Sequence, residues 1–340
     1  MKNFIRRKEV VSMTDYKFQS VLSEYMYKLI SIKKAAGIDV VPTNYILRTF
    51  DKYLCDINRT DPHLDSAFFS NWRKSLPNDS PGTLHNKYSL WNQLTSLMCR
   101  SGCYCCVPKI PKNLKSDFNP YIFTNEQMQL IFACCDNLIQ QTHKSNTALF
   151  VMPSLFRLLY STGMRVSEAI RLKNKDVDIK GHRVLLSETK NDHERYVPLC
   201  ESMEKVLTQY LHYRNKLNIQ GVNLPDHIFF VKNNGTGVSN FSVGYFFRHI
   251  LEEVGISVIG RRQGPRVHDL RHTQAVHALA KMVKEDTDIY TGLAVLSTTL
   301  GHLSVSSTNS YVRLTQSMYP DIEKRISSYN EVIYNKISKL

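Results

Sequence analysis

Two residues near the end of the chain have types and spacing that could do chemistry. In GHLSVSSTNSYVRL, His302 precedes Tyr311 by nine positions. A tyrosine hydroxyl can act as a nucleophile, but its pKa of ~10 keeps it protonated at neutral pH unless positive charge or a base lies nearby. The chain has 18 tyrosines, so Tyr311 alone fits an ordinary buried aromatic equally well. Its interpretation depends on the segments upstream.

The first of these segments is STGMRVSEAIRL, which places Arg165 just after a glycine turn and three residues before Glu168. An arginine at the start of a helix could grip a phosphate with its planar guanidinium, and Glu168 could hold it in place. The alternative is a surface ion pair worth about a few tenths of a kcal/mol.

Two further segments carry basic residues. In TKNDHERYVPL, Lys190 lies at or beside a hairpin turn, where its ammonium could reach a substrate atom; an ordinary turn lysine is the alternative. In PRVHDLRHT, His268 and Arg271 are three residues apart. If a helix begins there, both side chains lie on one face beside unpaired backbone N–H groups, which makes a phosphate site containing a titratable group.

These side chains together suit phosphoryl transfer at a DNA phosphodiester. That reaction needs neutralisation of the non-bridging oxygens, a nucleophile, and a proton for the departing sugar oxygen. The chain supplies each of these from its own residues, so we expect no cofactor and no metal.

Four segments carry a resemblance to a known family. STGMRVSEAIRL, TKNDHERYVPL, HDLRHT and LGHLSVSSTNSYV, in this order between about residues 160 and 315, resemble the motifs of the tyrosine recombinases of the phage-integrase type. The resemblance implies a site-specific recombinase that cuts and rejoins DNA through a 3′-phosphotyrosyl intermediate, for integration, excision or transposition of a mobile element.

The resemblance also implies a role for each residue of the candidate site. Tyr311 corresponds to the nucleophile, and Arg165 and Arg271 to the arginines that clamp the phosphate oxygens. Lys190 corresponds to the lysine that protonates the leaving 5′-oxygen. His268 corresponds to the histidine that helps to deprotonate the tyrosine, and His302 to a histidine that donates a hydrogen bond to the phosphate.

The periodicity of apolar residues predicts a mainly α protein with two domains. Residues 1–115 contain four amphipathic helices, the second beginning at Thr43 as N-cap, and resemble a core-binding helical domain. A proline-rich linker is expected at about 107–122. Residues 123–340 are predicted to form a mostly α catalytic domain, with a capping box at TNEQ that begins one helix and another helix that ends near Gly163.

The catalytic domain is also expected to contain a small antiparallel sheet. HRVLLSET and ERYVPLC have the composition of two strands of a hairpin, and DHIFFVKNNGTG is predicted as a third strand followed by a turn. At the end of the chain, a helix over 320–340 is predicted by apolar residues that recur every three or four positions, namely Ile322, Ile326, Tyr329, Ile333 and Ile337. Its apolar stripe must be covered, either by its own domain or by a neighbouring protomer.

The charge of the chain favours a polyanionic partner. The formal net charge is +14, and residues 1–120 contribute 18 Lys and Arg against 10 Asp and Glu. A basic surplus in both domains favours a nucleic-acid partner, with a generally basic, solvated surface as the alternative, and the resemblance implies double-stranded DNA. No apolar run reaches the roughly 18 residues that a membrane span needs, and the N-terminus lacks the apolar stretch of a signal peptide, so we expect a cytoplasmic protein without membrane contact.

Several alternatives stay open at this point. The resemblance alone implies a homo-tetramer on DNA, with or without accessory recombination proteins, and docking of the last helix on a neighbouring protomer instead of on its own domain. The rival activities are relaxation of DNA as by a type IB topoisomerase and DNA binding by a catalytically inactive regulator. HDLRHT, with a histidine three residues before the arginine, and the LGH context of His302 argue against the first, and the presence of all six polar site residues argues against the second.

Overall fold

A computed structural model of the chain describes residues 16–112, 119–138, 148–187, 194–257, 264–285, 287–302, 308 and 310–319. The chain divides into two compact units, Met1–Phe118 and Asn119–Leu340. Lys190 and the helix predicted over 320–340 lie outside the described residues. None of the helices in the described ranges is long and apolar enough to cross a membrane.

The first unit contains four helices, α1 (Ser23–Ala35), α2 (Val41–Asp56), α3 (Ser66–Lys74) and α4 (Pro81–Arg100). Side chains of Asp65 and Ser80 accept hydrogen bonds from the first turns of α3 and α4 and so satisfy backbone groups that have no partner within the helix. The predicted N-cap of α2 is wrong, because the helix begins two residues before Thr43. Pro42 occupies the first turn, where the missing N–H costs no hydrogen bond.

Aromatic side chains fill the core between these four helices. The rings of Phe50 and Trp91 are stacked with their centroids 3.9 Å apart, and Trp72 packs edge-on against both. After α4 the chain runs back along the bundle, where Asn92 Nδ2 donates to the carbonyl of Pro108 and His85 Nδ1 to that of Pro111. The first residues of the predicted linker therefore lie against α4.

The second unit is also mainly helical, as the sequence predicts. Its elements in chain order are α5 (Asn125–Asp136), α6 (Met152–Thr162), α7 (Val166–Ala169), β1 (Val177–Asp178), β2 (Arg183–Leu186), β3 (Arg195–Pro198), α8 (Glu201–Arg214), α9 (Asn240–Glu253), α10 (Asp269–Lys284), α11 (Ile289–Leu300) and α12 (Ser310–Met318). The capping box predicted at TNEQ is present at the start of α5. Helix α10 packs against α6, α11 and α12 and is the central element of the unit.

The three strands form one antiparallel sheet in the order β1-β2-β3. The predicted hairpin is confirmed, since Leu186 of β2 pairs with Arg195 of β3. The prediction of a third strand at DHIFFVKNNGTG is wrong. Within the described residues that segment forms only isolated bridges, because its turn closes on itself through Lys232 and Thr236 and its phenylalanines are buried in the core. The third strand of the sheet is β1 instead, which pairs with β2.

Two glycines end the helices on either side of α10. Gly163 ends α6 with φ at +64°, and Gly301 ends α11 with φ at +65°. This left-handed conformation strains any residue that has a Cβ atom. A Cβ on Gly163 would also lie 2.6 Å from Gln274 Oε1 and 2.7 Å from Leu300 Cδ2, so a larger residue would have to displace the ends of these two side chains as well as adopt a strained conformation.

Replacing Gly163 with alanine should therefore destabilise the protein by more than backbone strain alone. We expect Gly163→Ala to lower the free energy of unfolding by about 2–4 kcal/mol, from strain plus overpacking. The matched control is Gly255→Ala, since Gly255 has φ at +74° but no atom within 4 Å of its Cβ position. That control should lose about 1 kcal/mol. Equal losses in urea unfolding of the two variants would contradict the packing argument.

Candidate active site

The buried guanidinium of Arg271, on the first turn of α10, lies at the centre of the candidate site. Its side chain is 3% exposed, Nη1 donates to the carbonyl of Gly163 at 2.7 Å, and Nη2 donates to the carbonyl of Leu300 at 2.7 Å. Both carbonyls belong to the last turns of helices, where the helix dipole is negative. Burial, followed by the charge of Arg165, lowers the pKa of Arg271 to about 10, so the group remains a cation at neutral pH.

Arg165 stands at the N-cap of α7 and pairs with Glu168 as the sequence predicts. Arg165 Nη1 lies 2.9 Å from Glu168 Oε1, and the backbone N–H of Arg165 donates to Oε2 at 2.8 Å. The interpretation as a mere surface ion pair does not hold, because Glu168 is only 5% exposed. The carboxylate fixes both the backbone and the side chain of Arg165.

Arg195, on β3, is a functional candidate that the sequence reasoning missed. Its Nη2 and Nη1 donate to the two carboxylate oxygens of Glu168 at 2.8 and 3.2 Å, and its Nε donates to the carbonyl of Thr299 at 3.1 Å. A Cβ on Gly301 would lie 2.8 Å from Arg195 Nη1, so the glycine leaves room for the guanidinium. Arg195 thereby joins the hairpin to α7 and to the end of α11.

Glu168 is the acceptor that these two arginines share. Burial alone would raise the pKa of this carboxyl, but the hydrogen bonds and charges of Arg195 and Arg165 outweigh it and hold the pKa below its ordinary value. Glu168 is therefore ionised at neutral pH. With one carboxylate among three arginines, the described part of the site keeps a surplus of positive charge, which suits an anionic substrate.

The hydroxyl of Tyr311, on α12, faces this cluster. The residue is 3% exposed, and its ring lies parallel to that of His302, with the centroids 6.2 Å apart. Burial raises the pKa of Tyr311, while the charge and hydrogen bonding of Arg271 and the charge of Arg165 act in the opposite direction. His302 in turn makes a 2.9 Å hydrogen bond through Nδ1 to Thr308 Oγ1.

The histidine within hydrogen-bonding distance of the Tyr311 hydroxyl is His272, which the sequence reasoning also missed. Its Nδ1 lies 3.0 Å from the hydroxyl oxygen. His268, at the N-cap of α10, packs edge-on against His272, with the ring centroids 4.8 Å apart. Among the residues that the structure describes, His268 makes no hydrogen bond to Tyr311, so it reaches the tyrosine only through His272.

All three histidines are neutral at pH 7. Burial, together with the surrounding cationic side chains, lowers the pKa values of His272 and His302 to about 4. His268 is exposed at the surface, and there partial desolvation and the charges of Arg271 and Arg266 act in the same direction and lower its pKa. A neutral imidazole can accept a proton at one nitrogen while donating from the other. The structure thus brings together Arg165, His268, Arg271, His302 and Tyr311, while Lys190 lies outside the described residues between β2 and β3.

The chain is similar to known proteins in sequence and in fold. The model of the phage integrase family matches residues 122–318. An integrase/recombinase of Sinorhizobium fredii is 26% identical over 61% of this chain and 65% of its own length, so the match spans just under two thirds of that relative. The tyrosine recombinase XerC of Staphylococcus saprophyticus is 26% identical over 74% of this chain and 75% of its own.

Among solved structures, the XerH site-specific recombinase bound to palindromic difH substrate superposes with a TM-score of 0.59 at 20% identity, covering 84% of this chain and 79% of that one. The superposition shows a shared fold, and the family match defines an enzyme of the tyrosine-type site-specific recombinase class. Since the family model covers more than half of the residues, the chain belongs to the phage integrase family.

Removal of the Glu168 charge should destabilise the protein strongly. Glu168→Gln leaves two arginines facing a neutral amide, and we expect the free energy of unfolding to fall by about 3–5 kcal/mol. The lowered pKa of Glu168 means that its stabilisation is fully present above the unfolded-state value of ~4.3 and is lost as the pH falls through the folded-state value. The difference between wild type and variant should therefore shrink in acid.

The matched control for that variant is Asp136→Asn. Asp136 makes a similar bidentate pair with Arg157, at 2.8 and 2.6 Å, but its side chain is 51% exposed. Exposed pairs contribute less than about 1 kcal/mol, so this variant should lose little stability. Similar losses for the two variants in urea unfolding at pH 7 would contradict a special role for the buried carboxylate.

Proposed function

We propose that the chain cuts and rejoins DNA strands at a specific site through a covalent intermediate on Tyr311. The observation that carries this proposal is the position of the buried Tyr311 hydroxyl, which is hydrogen-bonded to a neutral histidine and lies within the electrostatic influence of Arg271 and Arg165. Positive charge near a phenol favours the phenolate, which is the nucleophilic form.

The two arginines are proposed to hold the non-bridging oxygens of the scissile phosphate. A guanidinium has five N–H donors, and Arg271 uses one from each Nη nitrogen on the carbonyls of Gly163 and Leu300. Its remaining donors can face a phosphate while these two bonds keep the group in place. Arg165 is held in the same way by Glu168, so both cations are positioned before substrate binds.

In the proposed reaction, Tyr311 Oη attacks phosphorus, the bond from phosphorus to the 5′-oxygen breaks, and a 3′-phosphotyrosyl link forms. Lys190 is proposed to protonate the departing oxygen, and His302 to donate a hydrogen bond to the phosphate. His268 is proposed to act on the tyrosine proton, and its edge-on contact with His272 makes that action indirect. A second 5′-hydroxyl can then attack the phosphotyrosine and reseal the strand, so the roles need no cofactor.

The partner in this proposal is double-stranded DNA. The net charge of +14 supports binding to a polyanion. We propose that residues 1–115 act as the core-binding domain, that residues 123–340 carry out catalysis, and that a homo-tetramer assembles on DNA, with or without accessory recombination proteins. We propose integration, excision or transposition of a mobile element in the cytoplasm as the biological setting, and the printed name of one relative, an integrase/recombinase, supports DNA integration.

The proposal predicts that Tyr311→Phe abolishes covalent trapping. The substrate is a library of nicked duplexes with a randomised central segment. Cleavage beside the nick releases a short strand that carries the 5′-hydroxyl, so the reaction cannot reverse and the protein–DNA adduct accumulates. Wild type should give adducts that survive denaturation, whereas Tyr311→Phe should give none and still retard DNA in gel shifts. The matched control is Tyr319→Phe, a tyrosine just beyond the end of α12, which should trap like wild type.

Adducts formed by the Tyr311→Phe protein would rule out Tyr311 as the nucleophile. Absence of adducts from wild type on every member of the library, with DNA binding intact, would contradict cleavage itself. It would favour the reading of the chain as a DNA-binding regulator.

A further inference from the structure

The contact between His272 and Tyr311 gives His272 a chemical role that the resemblance does not assign. His272 directly follows Arg271 on α10 and is half-buried. Its Nδ1 lies 3.0 Å from the tyrosine hydroxyl, and the two rings are tilted by 49° with their centroids 5.7 Å apart. This is the distance of a hydrogen bond to the atom that would attack phosphorus.

The surroundings of His272 favour an acceptor at Nδ1. Burial and the charged or titratable groups around the ring keep its pKa well below neutrality, so the imidazole carries one proton at pH 7. If that proton is on Nε2, then Nδ1 accepts the hydrogen of the tyrosine hydroxyl. The groups that act on the ring come from α10, from the segment before it, from the end of α11 and from α12: His268, Arg271, Arg266, His302 and Tyr311.

The other two histidines of the cluster are less well placed for this role. His302 stacks on the face of the tyrosine ring, with an interplanar angle of 11°, and its Nδ1 is hydrogen-bonded to Thr308. His268 packs against His272 and makes no hydrogen bond to the tyrosine in the described part of the chain. His272 is thus the imidazole that the fold brings to the reacting oxygen.

We propose that His272 is a catalytic residue that receives the proton of Tyr311 when the hydroxyl oxygen attacks phosphorus. The inference rests on the proposed function of Tyr311 and adds the acceptor of its proton. In this step the Oη–H bond breaks, the Oη–P bond forms, the bond to the 5′-oxygen breaks, and the proton moves to Nδ1. The imidazolium then lies beside His268 and next to the bound phosphate, whose negative charge stabilises it.

The same helix offers an internal control for a tyrosine–histidine hydrogen bond. His277, also on α10, has its Nδ1 2.8 Å from the hydroxyl of Tyr160. Burial raises the pKa of Tyr160 and lowers that of His277, as for the catalytic pair, but within the described ranges no arginine is among the causes that act on His277. Replacement of His277 removes a similar tyrosine–histidine hydrogen bond that lies outside the candidate site.

The test uses two replacements of His272 and one of His277 in the full chain. His272→Asn can keep an acceptor oxygen near the position of Nδ1 but cannot take up a proton, whereas His272→Phe removes both properties. Single-turnover adduct formation is measured from pH 6 to 9 on a nicked duplex that wild type has selected from the randomised library. Circular dichroism verifies that each variant is folded.

If His272 takes the proton, both replacements slow adduct formation by about 100-fold or more at pH 7. The rate of His272→Asn should then rise about tenfold per pH unit, since hydroxide replaces the missing base, and His277→Asn should stay close to wild type. If His272→Asn had the rate and the pH profile of wild type, the inference would be overturned. A side chain that accepts a hydrogen bond but takes up no proton would then be sufficient for adduct formation. Failure of wild type to form any adduct would instead refute the proposed function, and this inference with it.

A second readout needs no DNA. In ¹⁵N-imidazole NMR spectra of the free protein at pH 7, His272 should carry its proton on Nε2, and the Nδ1 resonance should move when Tyr311→Phe removes the hydroxyl. A proton on Nδ1 would mean that the histidine donates to the tyrosine, which would contradict the proposal even if His272→Phe proved too unstable to assay.

Discussion

The structure of the site depends on the pair of hydrogen bonds from the buried Arg271 guanidinium to the carbonyls of Gly163 and Leu300. A cation removed from water is costly unless polar groups replace its hydration. Here two helix C-termini supply that replacement, since both carbonyls lie at the negative ends of α6 and α11. The same bonds hold the ends of both helices against α10. The packing of these helices and the orientation of the arginine therefore depend on the same two hydrogen bonds.

The other groups of the site are held relative to this arginine. Arg165 follows the turn at Gly163, and His302 follows the turn at Gly301, so each begins where an anchored helix ends. Glu168 and Arg195 connect these groups to the sheet, because Arg195, on β3, donates both to the Glu168 carboxylate and to the carbonyl of Thr299. A cluster built in this way has its positive charge in place before an anion binds, which is the condition for electrostatic stabilisation of a phosphoryl-transfer transition state.

Much of this could be predicted from the sequence, because the signals were local. The helix ending at Gly163, the pairing of Arg165 with Glu168, and the hairpin of β2 and β3 each involve residues close together in the chain. Arg195 and His272 were missed because their partners lie far away: 104 residues separate Arg195 from Thr299, and 39 separate His272 from Tyr311. Strand β1 was missed because a strand of two residues gives no periodicity. The apolar run at Phe229 and Phe230 was wrongly predicted as a strand because its side chains are apolar for a different reason, which is that they are buried in the core.

The central claim is that one tyrosine becomes covalently linked to DNA. It is tested most directly by digesting the denatured adduct with protease and nuclease and identifying the modified peptide by mass spectrometry. We expect a peptide in which Tyr311 carries a 3′-phosphonucleotide, together with a released strand that ends in a 5′-hydroxyl. A nucleotide on any other residue, or a link through the 5′-phosphate, would contradict it.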